Sequence, residues 1–249
     1  MAGDDGYGAD VTDVWSLLQQ RRRDGAGAPA VTFVDADSGE RTELSAVSLE
    51  NAAAKIANAL RDEYDLGPGA TIGLRLPLHW QRSAWCAGAW TAGCTVAPGS
   101  VEADLVVTTV AEADALVGTA PRLAVVSLHP FGLPIAEPLP AGVDDVTLVV
   151  RQQPDAYLFD PPTARTSALL TDDGVLDQSS LIELALDRGA AWGLAPGGRL
   201  LVRDTVPDED GWLAAAAVPL ACRASVVLVR GAGDLARIEE QEQVTTRAQ

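Results

Sequence analysis

The sequence predicts an α/β protein of two pseudo-repeated lobes, each with a mainly parallel sheet flanked by helices. Three observations carry this. Short apolar runs of strand length alternate with helix-period segments along most of the chain, the pattern of a helix-covered parallel sheet. Residues 194–202, Leu-Ala-Pro-Gly-Gly-Arg-Leu-Leu-Val, match residues 66–74, Leu-Gly-Pro-Gly-Ala-Thr-Ile-Gly-Leu, and a Trp-bearing small-residue helix and a β-branched strand follow both. A Pro-containing stretch at 160–166 separates the copies, giving a first lobe over about 31–160 and a second over about 166–249 within one domain.

A first helix is expected from Asp13 to about Arg23, with Val14, Trp15, Leu17 and Leu18 inward and Thr12 as candidate cap. The run Arg21-Arg22-Arg23 meets the negative end of that helix favourably, and a solvated face accounts for it better than a phosphate site. After a Gly-rich loop, 31–35 reads as a strand. A second helix spans about Ser48 to Tyr64, where Leu49, Ala53, Ile56 and Leu60 recur at helical spacing. There follow a strand at 71–76, a helix from Trp80 to Ala92, and strands at 94–97, 104–109, 123–127 and 146–150. The Pro-rich 129–142 is a loop. In the second lobe 168–171 is a strand, Asp172-Asp173-Gly174 a turn, and Gly174-Val175 the entry to a helix with Asp177 as candidate N-cap.

A hydrophobic content of 47% is ample for a core, and the net charge of −17 is spread along the chain. Such a charge excludes nucleic acid and anionic membranes as partners, because phosphates are repelled over most approaches. Lys55 is the only Lys, so no lysine mechanism is available elsewhere. Cys86, Cys94 and Cys222 lie in apolar stretches without metal-ligand spacing and read as buried free thiols in a reducing, cytoplasmic setting. The acidic opening, residues 1–10, lacks the apolar core of a signal peptide, and the longest uncharged run, 83–101, is too broken by Gly and Pro for a membrane span.

Residues 45–98 resemble the opening of the adenylate-forming enzymes, the superfamily of acyl-CoA synthetases, luciferases and peptide-synthetase adenylation domains. The resemblance rests on a helix, the turn Gly67-Pro68-Gly69-Ala70, a strand, a second helix, and the signature Ala92-Gly93-Cys94-Thr95-Val96-Ala97-Pro98. Residues 194–231 resemble the family's segment after its phosphate loop. The chain is similar to a group of short actinobacterial proteins related to these enzymes, and the resemblance implies a fold like the N-terminal part of an acyl-CoA synthetase large domain.

The resemblance also implies where ATP would be gripped, through a loop of the type Thr-Ser-Gly-Thr-Thr-Gly-x-Pro-Lys-Gly. Here Thr171, Asp172, Asp173 and Gly174 stand in that place, four positions instead of ten, with two acids and no cation. Other ATP-site elements of the family follow the segment matched by the chain's C-terminal part, and Asp208-Glu209-Asp210 stands where the family has an aromatic-His element. The turn therefore reads as a degenerate phosphate-loop position. No catalytic residue and no metal site is expected, since two adjacent acids lack a third oxygen ligand.

His79 precedes a helix and suits a capping or surface role. Ser127 and His129 stand side by side, but no third orienting group and no Gly-x-Ser-x-Gly elbow accompany them. Trp80, Trp85, Trp90, Trp192 and Trp212 gather on the two matching helices; they either pack the core or line an acyl or ring pocket. The leading expectation is a non-catalytic binding or partner module, a homo-oligomer or bound to another protein, with no cofactor. The alternatives are a protein binding nucleotide (ATP or AMP), CoA or an acyl group in the inter-lobe crevice, or one half of a split AMP-forming ligase.

Overall fold

A computed structural model describes residues 12–206 and 208–249 of the chain. Among them the order is α1 (Val14–Gly25), β1 (Pro29–Asp35), β2 (Arg41–Ser45), α2 (Ala46–Asp62), β3 (Thr71–Leu74), α3 (Trp80–Ala92), β4 (Thr95–Pro98), β5 (Leu105–Thr108), α4 (Val110–Leu116), β6 (Leu123–Val125), β7 (Val143–Asp145) and α5 (Val146–Arg151). The second half adds β8 (Ser167–Thr171), β9 (Gly174–Asp177), α6 (Gln178–Trp192), β10 (Arg199–Arg203), α7 (Asp208–Ala215), α8 (Ala217–Ala221), β11 (Ser225–Arg230), α9 (Leu235–Gln241) and β12 (Thr246–Arg247). The acidic opening at 1–10 lies outside the described residues.

Several helices begin where a polar side chain can accept a backbone N–H freed by the missing preceding turn. Ser45 accepts from Ser48 N at 3.3 Å, Asp145 from Thr147 N at 2.9 Å and Asp234 from Arg237 N at 3.1 Å. Asp13 caps α1, accepting from Ser16 N at 2.9 Å, so the cap is one residue beyond the expected Thr12. Helices α3 and α6 both end on a left-handed glycine, Gly93 (φ 82°) and Gly193 (φ 74°).

The repeat is visible in the connectivity. A hairpin, a helix, a strand, a helical segment and a strand occur first as β1-β2-α2-β3-α3-β4 and again as β8-β9-α6-β10-α7-α8-β11. Each repeat gives its hairpin to the other's sheet. One sheet has the order β12-β10-β11-β1-β2, the other β7-β6-β5-β3-β4-β8-β9. In both, two parallel pairings are followed by an antiparallel hairpin at the edge. Each sheet thus draws strands from both chain segments, 31–160 and 166–249.

Strand alternation sorts the side chains into layers. Leu105 and Val107 of β5, and Val226 and Leu228 of β11, join one large core with α1, α2, α3, α6 and α8. Val106 faces the other way, against Leu116 of α4. Val227, Val229 and Leu201 meet Ile238 of α9. The helices α2, α3, α6 and α8 therefore lie between the sheets, with α4 and α9 outside. Gly88 lets α3 approach α2 closely, since a Cβ there would stand 2.5 Å from the Ile56 Cβ.

Buried polar groups tie the repeats together. Gln178, fully buried, accepts from Val14 N at 3.0 Å and donates to Trp90 O at 3.0 Å. Trp90 in turn donates to Ala168 O at 2.7 Å. Asp35 at the end of β1 accepts from Arg230 at the end of β11 at 2.6 Å and from Asp37 N and Ser38 N. That arrangement, the Arg230 hydrogen bond foremost, holds its carboxyl down to about 2.

Two expectations fail locally. Residues 146–150 are helical α5, not a strand: Asp145 caps them, and β7 takes the sheet position just before. Gly174-Val175 enters β9, not a helix, because these residues pair back onto β8 in the register Leu170↔Val175 and Thr171↔Gly174. The Arg run is solvated as expected at Arg22 and Arg23, with Arg21 half-buried. Arg21 donates to Pro29 O at 3.0 Å, and Arg22 pairs with the buried Glu50 at 3.0 Å.

Candidate functional site

The turn 172–173 is the tip of the β8-β9 hairpin. Thr171 Oγ1 donates to Gly174 O at 2.9 Å and closes the bend, Gly174 takes a φ of 132°, and both Asp side chains are exposed. Helix α6 starts only after β9, whose four residues span about 13 Å at strand rise. Its N-terminus is already filled. Asp177 accepts from Ser180 N at 2.8 Å and from Ser179 Oγ at 2.9 Å, and Arg165 pairs with it at 3.1 Å. The Ser180 N–H, the largest influence, holds the Asp177 carboxyl below its ordinary range. Thr171, Asp172, Asp173 and Gly174 therefore form a bend without a helix dipole behind it, and the cation nearest in sequence, the largely exposed Arg165, pairs with Asp177. A carboxylate facing a phosphate at contact costs about 1–4 kcal/mol, depending on the local dielectric.

The remaining sequence candidates separate in space. His79 caps α3 through Nδ1, which accepts from Gln81 N at 3.2 Å, and its ring meets Phe33 at 4.4 Å between centroids. It is buried, not on the surface, and burial, with help from the Arg230 charge, pushes it down to about 3, so it is neutral at ordinary pH. Ser127 Oγ accepts from the backbone N of His129 at 3.2 Å, while His129 Nδ1 accepts from Phe131 N at 3.1 Å. Both groups are engaged in turn-forming bonds and make no nucleophile–base pair. All three cysteines are buried and unpaired, and burial pushes Cys86 and Cys94 up to about 12. Among the described residues no three His, Cys, Asp or Glu side chains converge on a metal position, and no helix is long and apolar enough to cross a membrane.

The tryptophans divide between the two readings. Trp85 and Trp90 are core residues, and Trp212 lies beneath the Arg82 guanidinium at 4.2 Å. Trp80 and Trp85 line a cavity of about 540 Å³. Its walls are β2, α2, the first turns of α3, α5, and the segment that leaves β6. It thus opens where β3, β6 and β7 end and deliver their loops, the usual ligand position in open parallel sheets. Sequence reasoning missed its members because they come from five separated segments; only the Trp spacing on α3 pointed there.

The fold matches solved acyl-CoA synthetase structures. An acyl-CoA synthetase of Brucella canis superposes with a TM-score of 0.74 at 20% identity, covering 94% of this chain and 46% of that one. Acetoacetyl-CoA synthetase from Streptomyces lividans gives 0.68 at 15% identity, covering 87% and 38%. The N-terminal domain of FACL13 from Mycobacterium tuberculosis gives 0.67 at 12% identity, covering 93% and 61%. The chain thus has the α/β fold of the N-terminal domain of acyl-CoA synthetases and spans about half the length, or less, of the first two. No family model matches the sequence. A TIGR03089 family protein of Mycobacterium tuberculosis (strain ATCC 25618 / H37Rv) is 38% identical over 224 residues, covering 86% of this chain and 88% of the relative. The chain belongs to the TIGR03089 family.

Proposed function

We propose that the protein is a non-catalytic binding or partner module on the acyl-CoA synthetase fold, with a degenerate phosphate-loop position. The observation that carries this reading is the hairpin tip at 171–174, where two exposed carboxylates occupy a bend that has neither a cation nor a helix N-terminus. Adenylate formation needs a triphosphate held while charge moves onto pyrophosphate, and that demands donors and cations already in place. The partner half of the reading is supported by β9, an edge strand whose Val175 is 56% exposed beside Leu170 at 40%. An unpaired edge with apolar side chains invites a second chain, either a copy or another protein. The module is proposed to act in the cytoplasm.

ATP–pyrophosphate exchange with a panel of carboxylic acids tests the reading. The protein alone is expected to give no exchange above a no-protein control. Exchange by the protein alone would contradict it. Exchange that arises only with a co-purifying second polypeptide would instead make this chain half of a split AMP-forming ligase.

A further inference from the structure

Phe131 stands in water at the rim of the cavity of about 540 Å³: it is 84% exposed, and Pro130 and Gly132 on either side of it share the lining. The loop that carries it is fastened along α5. Arg151 Nη1 donates to Gly132 O at 3.1 Å, and Ile135 N donates to Asp145 Oδ2 at 3.0 Å. Asp145, Leu148 and Arg151 follow one another at i, i+3 spacing, so Leu148 sits on the side of α5 that the loop follows, between its two fastening points. Leu148 and the loop residue Leu133 are each 44% exposed. The three side chains make one protruding apolar patch, held from behind and left uncovered among the described residues.

The protrusion and a matching recess lie side by side on one face. The cavity behind the ring is walled by Trp80, Trp85, Val126, Val146 and Val150, apolar surface on which an aromatic ring packs well. A two-fold axis set between the two features sends each copy's ring to the other's recess, the condition for a closed isologous contact. Charge permits the approach. The chain carries −17 overall, yet Glu43, the one acid in the lining, pairs with Arg41 at 2.6 Å, Lys55 pairs with Asp155 at 2.9 Å, and Arg151 adds a positive charge. Two acidic copies therefore meet here without the repulsion that their net charge imposes elsewhere. At the β9 edge, by contrast, the exposed Asp172 and Asp173 oppose a second acidic copy.

We propose that the protein forms a two-fold dimer through this face, with Phe131 of each copy seated in the cavity of the other and Leu133 and Leu148 packed around the axis. A second copy is then the partner of the module proposed above, and this rests on the partner half of that reading alone. Pyrophosphate exchange by the protein would contradict the non-catalytic half and leave the interface standing; a monomeric chain would do the reverse.

Sedimentation velocity of the full chain tests it. A dimer with a dissociation constant at or below about 10 μM is expected, since an interface of standard size centred on aromatic anchors reaches that range. Phe131→Ala removes both rings, and Ala52→Phe fills both cavities from α2. Each is expected to weaken the dimer about a hundredfold, about tenfold for each of the two ring contacts. Mixing the two variants separates the contact from a folding defect: their heterodimer keeps one ring facing one open cavity, and it is expected to form about tenfold more tightly than either variant's own dimer. A chain that stays monomeric at about 50 μM would overturn the proposal. So would a dimer that neither variant weakens, a mixture no tighter than its components, or a dimer that Val175→Lys dissociates instead.

Discussion

Replacing Asp35 by Asn tests how the two repeats are locked, because the Asp35–Arg230 contact joins β1 of the first to β11 of the second. The Asp35 carboxyl is held at about 2, against 3.8 for the free group. At about 1.4 kcal/mol per pH unit of pKa this gap corresponds to about 2 kcal/mol. Arg230 is 34% exposed, and solvent screening reduces the figure to about 1–2 kcal/mol. The folded value is the lower one, so the stabilisation is complete above about pH 4 and is lost as pH falls towards 2. Asn keeps an oxygen for the Asp37 and Ser38 N–H groups but removes the charge and the acceptor that Arg230 uses. Urea unfolding followed by tryptophan fluorescence should show the variant destabilised by about 1–2 kcal/mol at pH 7 and by about half of that at pH 3. A difference that stays the same at both pH values would refute the electrostatic origin of the lock.

Other changes have equally definite outcomes. Gly88→Ala forces a Cβ against Ile56, and overpacking of this kind costs about 1–3 kcal/mol; calorimetry should show a lower Tm, restored in part by adding Ile56→Ala. Gln178→Leu strands the buried Val14 N–H and should cost about 1–3 kcal/mol in the same denaturation assay. In the native protein Ellman's reagent should find Cys86, Cys94 and Cys222 unreactive at pH 8, and denaturant should release all three.

Local signals in the sequence carried most of the helices. The small-residue run from Trp80 to Ala92 ends at Gly93, whose positive φ stops the helix, and expectation and structure agree there to the residue. Asp177 was legible as a cap, and the cap itself fixes the start of α6 at Gln178; the strand hidden between it and the turn is only four residues long, too short for a period to register. Residues 146–150 misled because a β-branched run favours a strand locally, while the capping Asp145 and packing against the core settle it as a helix. The exchange of hairpins was not legible, since strand pairing between Val31 and Val226 leaves no mark in either segment. The cavity escaped for the same reason: Lys55, Trp80, Phe131 and Arg151 come together only through the tertiary fold. The turn at Asp172-Asp173, by contrast, was legible because a bend is set by four consecutive residues, Thr171 to Gly174.

Calorimetric titration of magnesium-ATP into the intact protein and into the Asp172→Ala, Asp173→Ala double variant bears most directly on the central claim. The account predicts no measurable heat of binding with the intact chain. Tight binding that disappears when both carboxylates are removed would contradict it.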